Sequence, residues 1–494
     1  MDNLVVETRY GKVQGTKEGG VCVWRGIPYA KPPVGKLRFQ APQPPDPWAG
    51  VRDATRFGPN CVQFGNYLRT EHMGSREFSE DCLYLNIWSP AADGRKRPVM
   101  VWIHGGFFRM GSGSLAMYNG VSFAEKGDVV LVTINYRLGA LGFLQLGEFG
   151  ERFADSGNCG LLDQIAALRW VKENIEAFGG DPDRVTIFGQ SAGGRSTGIL
   201  LAAPEARGLF SQAIVHSGGI ETYGDAANAG KLARQIMSNL NIGPQEVDKL
   251  LEVPVEKLVE ATPPPRAGNG MEPNIDGIHL TQKPLEALAE GHGKNLRIMI
   301  GYCLNDFTKD FEPRWKEMSE QEILDDFKSR IGTGWEELLD YYLSRDPQDA
   351  PLVEKLVPML IYNEFTYPAI RLVEIQEKQG APAWLYRFDW LNPLTGYATH
   401  ALELPFVFNN LHQPGVSGVM VGGGDERLPL AEFMHRSWIA FAHNGDPSVE
   451  GELGWPAYRS DERAMMLFNT TSRIAYDLNP EERKVWERAK GSLA

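Results

Sequence analysis

The stretch Val185-Thr186-Ile187-Phe188-Gly189-Gln190-Ser191-Ala192-Gly193-Gly194 decides how the rest of the chain is interpreted. A β-branched and aromatic run, which favours a strand, ends in Gly-x-Ser-x-Gly, and residues Arg195 to Leu201 are typical of a helix. Strand, sharp turn and helix in this order predict a nucleophile elbow with the hydroxyl of Ser191 exposed at its apex. An ordinary glycine-rich turn would also fit the five-residue pattern, so the rest of the chain must decide between the two.

Composition limits the class of protein and its partners. Hydrophobic residues make up 43% of the 494 residues and charged residues 23%, which predicts a globular chain with a large core. The net charge of −13 argues against a nucleic acid partner. The N-terminus lacks the pattern of a secretion leader and no segment is apolar for about 18 residues, so we expect a cytoplasmic protein without a membrane span.

The five cysteines are odd in number and lack the C-x-x-C spacing of metal sites. At least one thiol must therefore be free or pair between chains. We expect no metal and no organic cofactor, and either a monomer or a small homo-oligomer.

The pattern along the chain predicts alternating strands and helices. The first strands, from Leu4 to Trp24, read as antiparallel, and a Pro-rich loop follows from Gly26 to Phe39. The later segments comprise strands at Leu83 to Trp88, Val99 to Ile103, Asp128 to Asn135, Gln212 to Val215, Ile298 to Gly301 and Ala383 to Trp390, and helices at Leu161 to Ala177 and Leu428 to His443. This alternation predicts an α/β fold with one doubly wound, mostly parallel sheet in a single domain over residues 1–494. The segments Thr262 to Gly277 and Asp306 to Trp335 are expected as excursions above the sheet that shape a pocket.

A serine nucleophile needs a base, and the base needs an acid that orients it. His400 lies in a loop that follows the strand Ala383 to Trp390, which makes it the candidate base; a solvated loop histidine is the alternative. Asp306 ends the strand that begins at Arg297, which makes it the candidate acid; an exposed helix-capping residue is the alternative.

The same chemistry requires main-chain N–H groups at the point where negative charge develops on the substrate oxygen. His104-Gly105-Gly106-Phe107 directly follows the strand Val99 to Ile103, and its glycines allow a close approach to a substrate. We expect an oxyanion hole at Gly105, Gly106, Phe107 and Ala192, with the N–H groups of the last three as donors.

Several separate motifs, in a fixed order over nearly the whole chain, resemble the type-B carboxylesterase and cholinesterase family, in particular its bacterial para-nitrobenzyl esterase branch. They are Gly26-Ile27-Pro28-Tyr29-Ala30-Lys31-Pro32-Pro33, Glu80-Asp81-Cys82-Leu83-Tyr84-Leu85-Asn86, Asn135-Tyr136-Arg137-Leu138-Gly139, Phe178-Gly179-Gly180-Asp181-Pro182, the Ser191 elbow, and His400-Ala401-Leu402-Glu403-Leu404-Pro405-Phe406. The resemblance implies an α/β-hydrolase fold and hydrolysis of carboxylic esters through an acyl-enzyme.

By position in these motifs, Ser191 resembles the nucleophile, His400 the base and Asp306 the acid, although most relatives carry Glu as the acid. Ser217 resembles a buried serine that supports the triad. The resemblance further implies structural ion pairs between Arg38 and Glu80 and between Arg137 and Asp163. Cys61 and Cys82 match the two cysteines that form a disulfide in secreted members of the family, but we expect both to remain thiols in this protein.

Two departures from the family bear on the substrate. Gln190 stands where Glu usually precedes the serine, which disfavours cationic substrates. Phe107 replaces a small residue, and its ring should narrow a pocket that we expect Phe107, Phe108 and Gln190 to line. We therefore expect small to medium uncharged esters. The alternatives are a specialised ester, a carbamate or an amide on the same machinery, a lipase with a lid hidden in Thr262 to Gly277, and a non-catalytic binding member of the fold.

Overall fold

The computed structural model describes residues 4–63, 73–221, 223–263, 270–345, 347, 349–413, 416, 422 and 424–491. The centre of the protein is an 11-stranded sheet, and three small sheets of two or three strands accompany it. The strands are β1 Val5–Thr8, β2 Gly11–Gln14, β3 Thr16–Glu18, β4 Val21–Pro28, β5 Val51–Asp53, β6 Asn60–Cys61, β7 Phe78–Ser79, β8 Tyr84–Ser89, β9 Arg97–Ile103, β10 Val130–Ile134, β11 Gly180–Gln190, β12 Gln212–His216, β13 Gly224–Asp225, β14 Asn274–Ile275, β15 Arg297–Cys303, β16 Ala383–Phe388, β17 Ala464–Phe468 and β18 Arg473–Tyr476.

Helices cover both faces of the central sheet. They are α1 Val121–Gly127, α2 Gly139–Phe143, α3 Cys159–Asn174, α4 Ala192–Ala202, α5 Ala226–Asn239, α6 Val255–Ala261, α7 Pro284–Ala289, α8 Glu320–Ile331, α9 Trp335–Leu343, α10 Leu352–Ile361, α11 Tyr367–Lys378, α12 Leu404–Val407, α13 Leu428–Asn444 and α14 Pro480–Lys490. A π-helical turn, Tyr362–Thr366, joins α10 to α11.

The strand order in the central sheet is β18-β17-β16-β15-β12-β11-β9-β10-β8-β4-β3. From β10 to β17 all neighbours are parallel. The edges are antiparallel, because β8 pairs antiparallel with β10 and with β4, and β18 pairs antiparallel with β17. The carboxyl ends of β9, β11, β12, β15 and β16 therefore lie along one edge, which is where open α/β sheets bind ligands.

Alternation along β9 shows how the sheet divides the core. Val99, Val101 and Ile103 belong to one buried cluster, and Met100 and Trp102 belong to a second cluster on the opposite face. All seven residues of β9 are buried, as a central parallel strand between two helical layers requires.

The predicted alternation of strands and helices is confirmed, with bounds that differ by a few residues. One difference concerns the Pro-rich loop. Residues Gly26 to Pro28 continue β4, and Ile27 and Pro28 pair with β8. A proline is tolerated there because Pro28 is the last residue of the strand and its missing N–H costs the ladder little.

The segment Asp306 to Trp335 leaves the sheet as predicted, but it builds a third core. Trp315 and Phe327 from this segment pack with Trp486 of α14 and with residues of α9 and α10. The other predicted excursion, Thr262 to Gly277, lies partly outside the described residues, since 264–269 are not among them.

The ion pairs implied by the resemblance are present. Arg38 Nε donates to Glu80 at 2.7 Å. Arg137 donates from Nε and Nη2 to the two oxygens of Asp163 at 2.8 and 2.7 Å, with side chains 2% and 0% exposed. All five cysteines are buried, and none is joined in a disulfide. Burial raises the pKa of the Cys82 thiol, and the neighbouring Cys61 adds to this effect.

Candidate active site

The structure places Ser191 at a sharp turn between β11 and α4. Its backbone has φ 58° and ψ −123°, a conformation that costs a non-glycine residue roughly 1–3 kcal/mol. The surrounding elements hold it there, because its N–H donates to His216 O at 3.0 Å and its C=O accepts from Arg195 N at 2.8 Å. The turn is the predicted elbow, with helix α4 starting at Ala192.

The glycines that flank Ser191 serve close packing. A Cβ on Gly189 would run into the carbonyl of Gly193, and a Cβ on Gly193 would run into the carbonyl of Ile103 at the end of β9. Helix α4 can therefore begin directly on the strands only because these positions lack a side chain.

His400 and Asp306 form a buried acid–imidazole pair. Nδ1 of His400 lies 2.6 Å from Oδ1 of Asp306, and Asp306 is 2% exposed. Its other oxygen, Oδ2, accepts from the Ser217 hydroxyl at 3.0 Å and from the Cys303 N–H at 2.9 Å. Burial raises the pKa of Asp306 above its usual value, and the hydrogen bonds from His400 and Ser217 oppose that rise.

Two loops that are distant in sequence hold this pair. Asn305 N donates to Ala398 O at 3.0 Å, and Ala398 N donates to the side-chain oxygen of Asn305 at 3.1 Å. A further backbone bridge joins Asn305 to Thr399. The loop after β15, which carries the acid, is thus joined to the loop after β16, which carries the imidazole.

The second ring nitrogen of His400 faces Gln190. Nε2 of His400 lies 3.0 Å from the side-chain amide nitrogen of Gln190. Within the described part of the chain, the hydroxyl of Ser191 makes no hydrogen bond to the ring. The structure therefore brings Ser191, Gln190 and His400 to one place, with the imidazole engaged by the amide rather than by the hydroxyl.

The segment after β9 approaches the elbow closely. A Cβ on Gly105 would lie 2.6 Å from Gln190 O and 3.1 Å from the Cβ of Ser191. Gly106 and Phe107 have φ values of 118° and 57°. Among the described residues no main-chain acceptor receives their N–H groups, and Ala192 is the first residue of α4, where N–H groups lack helical partners.

His104 helps to hold the segment after β9 in place. Its ring stacks on Tyr136 at 4.5 Å between centroids, and its Nδ1 lies 2.8 Å from Gly105 O. The Tyr136 hydroxyl donates to His104 O at 2.8 Å. Burial lowers the pKa of His104 to about 4, so the ring is neutral at physiological pH and adds no charge beside the site.

Phe107 and Phe108, the two aromatic residues of the segment after β9, differ in exposure. The side chain of Phe107 is 41% exposed, whereas Phe108 is 1% exposed. The ring of Phe108 packs edge-on against Phe143 at 5.1 Å between centroids. This position differs from the expectation that Phe108 lines the pocket, since its ring belongs to the buried core.

The other histidines downstream of Ser191 have structural partners or lie exposed. His435 contacts Val407 O and the Ser122 hydroxyl, and His443 contacts Gly127 O at 2.8 Å. His279 lies between two carboxylates, His292 contacts Ala202 O, and His412 is exposed. The described residues include no group of three or more side chains that could hold a metal ion.

A buried polar network near the His400–Asp306 pair was not predicted from the sequence. His216 accepts from Trp438 Nε1 at Nε2, 3.0 Å, and its Nδ1 lies 2.9 Å from the Tyr386 hydroxyl. The Cys303 thiol donates to Glu403 at 3.0 Å, and the charge of Glu403 adds to the raised pKa of Asp306. Glu403 lies three residues after His400, but only the fold shows that it meets β12 and β15.

A second unpredicted feature is a partly buried ion-pair cluster next to the elbow. Arg195, one helical turn after Ser191, lies 3.1 Å from Glu364 in the π-helical turn and 3.8 Å from Glu272. The next residue of that turn, Phe365, packs its ring at 5.9 Å from the ring of His400. No local pattern in the sequence links residue 195 to residue 364.

The chain is similar to known proteins over nearly its whole length. Residues 2–486 match the model of the carboxylesterase family. The chain belongs to the carboxylesterase family. It is 40% identical to the para-nitrobenzyl esterase of Bacillus subtilis over 99% of this chain and 100% of that protein. It is 37% identical to the fumonisin B1 esterase of Sphingopyxis macrogoltabida over 92% of this chain and 84% of that protein.

Solved structures show the same fold. The crystal structure of carboxylesterase EST55 from Geobacillus stearothermophilus at pH 6.2 superposes with a TM-score of 0.90 at 46% identity, covering 98% of this chain and 99% of that one. This carboxylesterase therefore has the α/β-hydrolase fold and is a serine carboxylic ester hydrolase. No helix among its described residues is long and apolar enough to cross a membrane.

Proposed function

We propose that this carboxylesterase hydrolyses small to medium uncharged esters with Ser191 as nucleophile, His400 as general base and Asp306 as the acid that orients it. The observation that carries the proposal is that the elbow with the partly buried Ser191 and a 2.6 Å imidazole–carboxylate pair meet at one edge of the sheet. A backbone strained at Ser191 is typical of a functional residue.

In the proposed reaction, Asp306 accepts a hydrogen bond from Nδ1–H of His400, so the lone pair that acts as the base is on Nε2. The Ser191 hydroxyl then replaces the Gln190 amide as the partner of Nε2. His400 takes the proton of Ser191 while the oxygen attacks the ester carbonyl. The main-chain N–H groups of Gly106, Phe107 and Ala192 stabilise the oxyanion, and Gly105 allows their close approach. Imidazolium then protonates the leaving alcohol, and water repeats the sequence to release the acid.

Substrate preference follows from two side chains at the site. Gln190 is neutral and 4% exposed, so it gives a cationic substrate no counter-charge. Phe107 is open to solvent beside the proposed oxyanion donors, and its ring limits the room for a branched alcohol group. A panel of 4-nitrophenyl and alkyl esters of graded length, with one amide and one carbamate, measures this preference.

The triad is tested by substitution. Ser191→Ala and His400→Ala should abolish turnover of a short-chain 4-nitrophenyl ester, and Asp306→Asn should lower kcat by roughly 10⁴-fold because it favours the wrong imidazole tautomer. His443→Ala is the matched control, since that ring contacts a main-chain carbonyl beside α1. Activity near that of the wild type in purified His400→Ala would refute the assignment.

The proposal places the enzyme in a reducing compartment, the cytoplasm. All five cysteines are buried, none is joined in a disulfide, and reducing conditions preserve thiols. Cell fractionation of the source organism tests this location, and recovery of the enzyme outside the cytoplasmic fraction would contradict it.

A further inference from the structure

The π-helical turn Tyr362–Thr366, between α10 and α11, lies beside the proposed triad. Turns of this kind are rare within helices and occur frequently at functional sites. Three consecutive residues of the turn, Glu364, Phe365 and Thr366, each contact an element that carries a residue of the proposed triad. Thr366 contacts Tyr302 in β15, the strand that leads to the proposed acid.

Glu364 connects the π turn to the helix that follows the nucleophile. Its Oε2 accepts from Nη2 of Arg195 at 3.1 Å, and the two side chains are largely buried, 11% and 13% exposed. Arg195 belongs to the first turn of α4, since its N–H donates to Ser191 O at 2.8 Å. A charged pair that is shielded from water interacts more strongly than an exposed pair. The pair therefore fixes the π turn relative to Ser191.

Phe365 contacts both the base and the loop of the acid. Its side chain is 5% exposed, and its ring centroid lies 5.9 Å from that of His400. The same centroid lies 5.2 Å from that of Phe307, which directly follows Asp306 in the chain. Rings separated by roughly 4.5–7 Å pack against each other. One buried ring thus supports the imidazole and the loop that carries its carboxylate partner.

The acid loop borders a cavity, so its packing is incomplete on that side. The cavity has a volume of about 370 Å³, and Asn305, Phe307 and Thr366 are among the residues that line it. Atoms that face a void lack the dispersion contacts that fix a fully packed group. The contact between Phe365 and Phe307 is therefore important for holding this loop in place.

We propose that Phe365 is a positioning residue, which holds His400 at the distance from Ser191 that proton transfer requires, and that the pair of Arg195 and Glu364 anchors it to α4. The inference rests on the proposed roles of Ser191 and His400. Because Phe365 acts through the base, its loss should slow the chemical step and leave substrate binding nearly unchanged.

The first test compares two substitutions of buried phenylalanines with a 4-nitrophenyl ester as substrate. Phe365→Leu removes the ring beside His400, so kcat should fall about 10- to 100-fold with KM nearly unchanged. The rate at which a phosphonate ester modifies Ser191 should fall by a similar factor, since that step needs the same base. Phe327→Leu is the matched control, because Phe327 packs at 5.3 Å against Trp315 in the same third core and has no printed role at the triad. It should lose stability in urea unfolding and keep kcat.

The second test examines the anchor. Glu364→Gln preserves the size of the side chain, and Arg195 keeps a carboxylate, Glu272, at 3.8 Å. This variant should lower kcat severalfold. Combined with Phe365→Leu it should add little further loss, because both substitutions act through the same ring. Losses that multiply independently would contradict the role of the pair as an anchor.

A folded Phe365→Leu enzyme with the kcat and phosphonylation rate of the wild type would overturn the inference, and so would an equal fall of kcat in Phe327→Leu. If Phe365→Leu does not fold, as judged by circular dichroism, Glu364→Gln decides, and an unchanged kcat there has the same meaning. Failure of the proposed function would appear instead as turnover in His400→Ala. Failure of the inference alone leaves that variant inactive.

Discussion

Gly105→Ala should lower kcat about 10- to 100-fold while the protein stays folded. The added Cβ would lie 2.6 Å from Gln190 O and 3.1 Å from the Cβ of Ser191. Ordinary contact distances are roughly 3.5 Å, so the segment after β9 or the elbow has to recede by nearly 1 Å. The proposed donors Gly106 and Phe107 move with it. A misplacement of about 1 Å in an active site can cost roughly 100-fold in rate.

The assay is kcat for a short-chain 4-nitrophenyl ester, together with urea unfolding. Gly113→Ala is the matched control on the same segment, because its Cβ would meet a main-chain carbonyl, Ile134 O, at 2.9 Å without approaching Ser191. Both variants should lose about 1–3 kcal/mol of stability through overpacking, and only Gly105→Ala should lose catalysis. A folded Gly105→Ala enzyme with the kcat of the wild type would refute the reasoning.

Three further outcomes are expected. Phe107→Gly should raise the ratio of kcat/KM for a tert-butyl ester to that for an ethyl ester roughly tenfold, and an unchanged ratio would remove the steric account. Asp163→Asn leaves a buried guanidinium without its counter-charge and should cost about 3–5 kcal/mol in urea unfolding; a loss below 1 kcal/mol would contradict this. Burial lowers the pKa of His279, but hydrogen bonds to Asp155 and Glu205 prevail and raise that pKa above its usual value. The protonated ring therefore stabilises the folded protein fully below about pH 6, and this stabilisation is lost as the pH rises through the raised pKa. His279→Gln should therefore destabilise the protein more at about pH 5.5 than at about pH 8.5, and equal losses at both would disprove the linkage.

Much of the fold was predictable because its signals are local. The run from Asp128 to Asn135 is apolar at five of its eight positions, as favours a strand covered on both faces, and the structure places β10 there with every residue of the strand buried. The elbow was predictable for the same reason, since Gly-x-Ser-x-Gly between a strand and a helix needs only ten consecutive residues.

The partners of His400 could not be predicted from local sequence patterns. The loop that carries Asp306 could be chosen because it ends a strand, but the hydrogen bonds of Asn305 to Ala398 that align the two loops depend on tertiary structure. Gln190 was recognised as a change of charge, and its contact with Nε2 followed only from the geometry. The burial of Phe108 was missed because the sequence does not show which of two adjacent phenylalanines turns its ring into the core.

The central claim is that Ser191 forms the covalent intermediate. Incubation with a phosphonate ester, followed by peptide mass spectrometry, measures this directly, since the phosphonate reacts with the serine that an adjacent base activates. The account predicts one phosphonyl group per chain, on Ser191, in step with loss of esterase activity, and no modification of Ser191→Ala. Inactivation with the label on any other residue would contradict it.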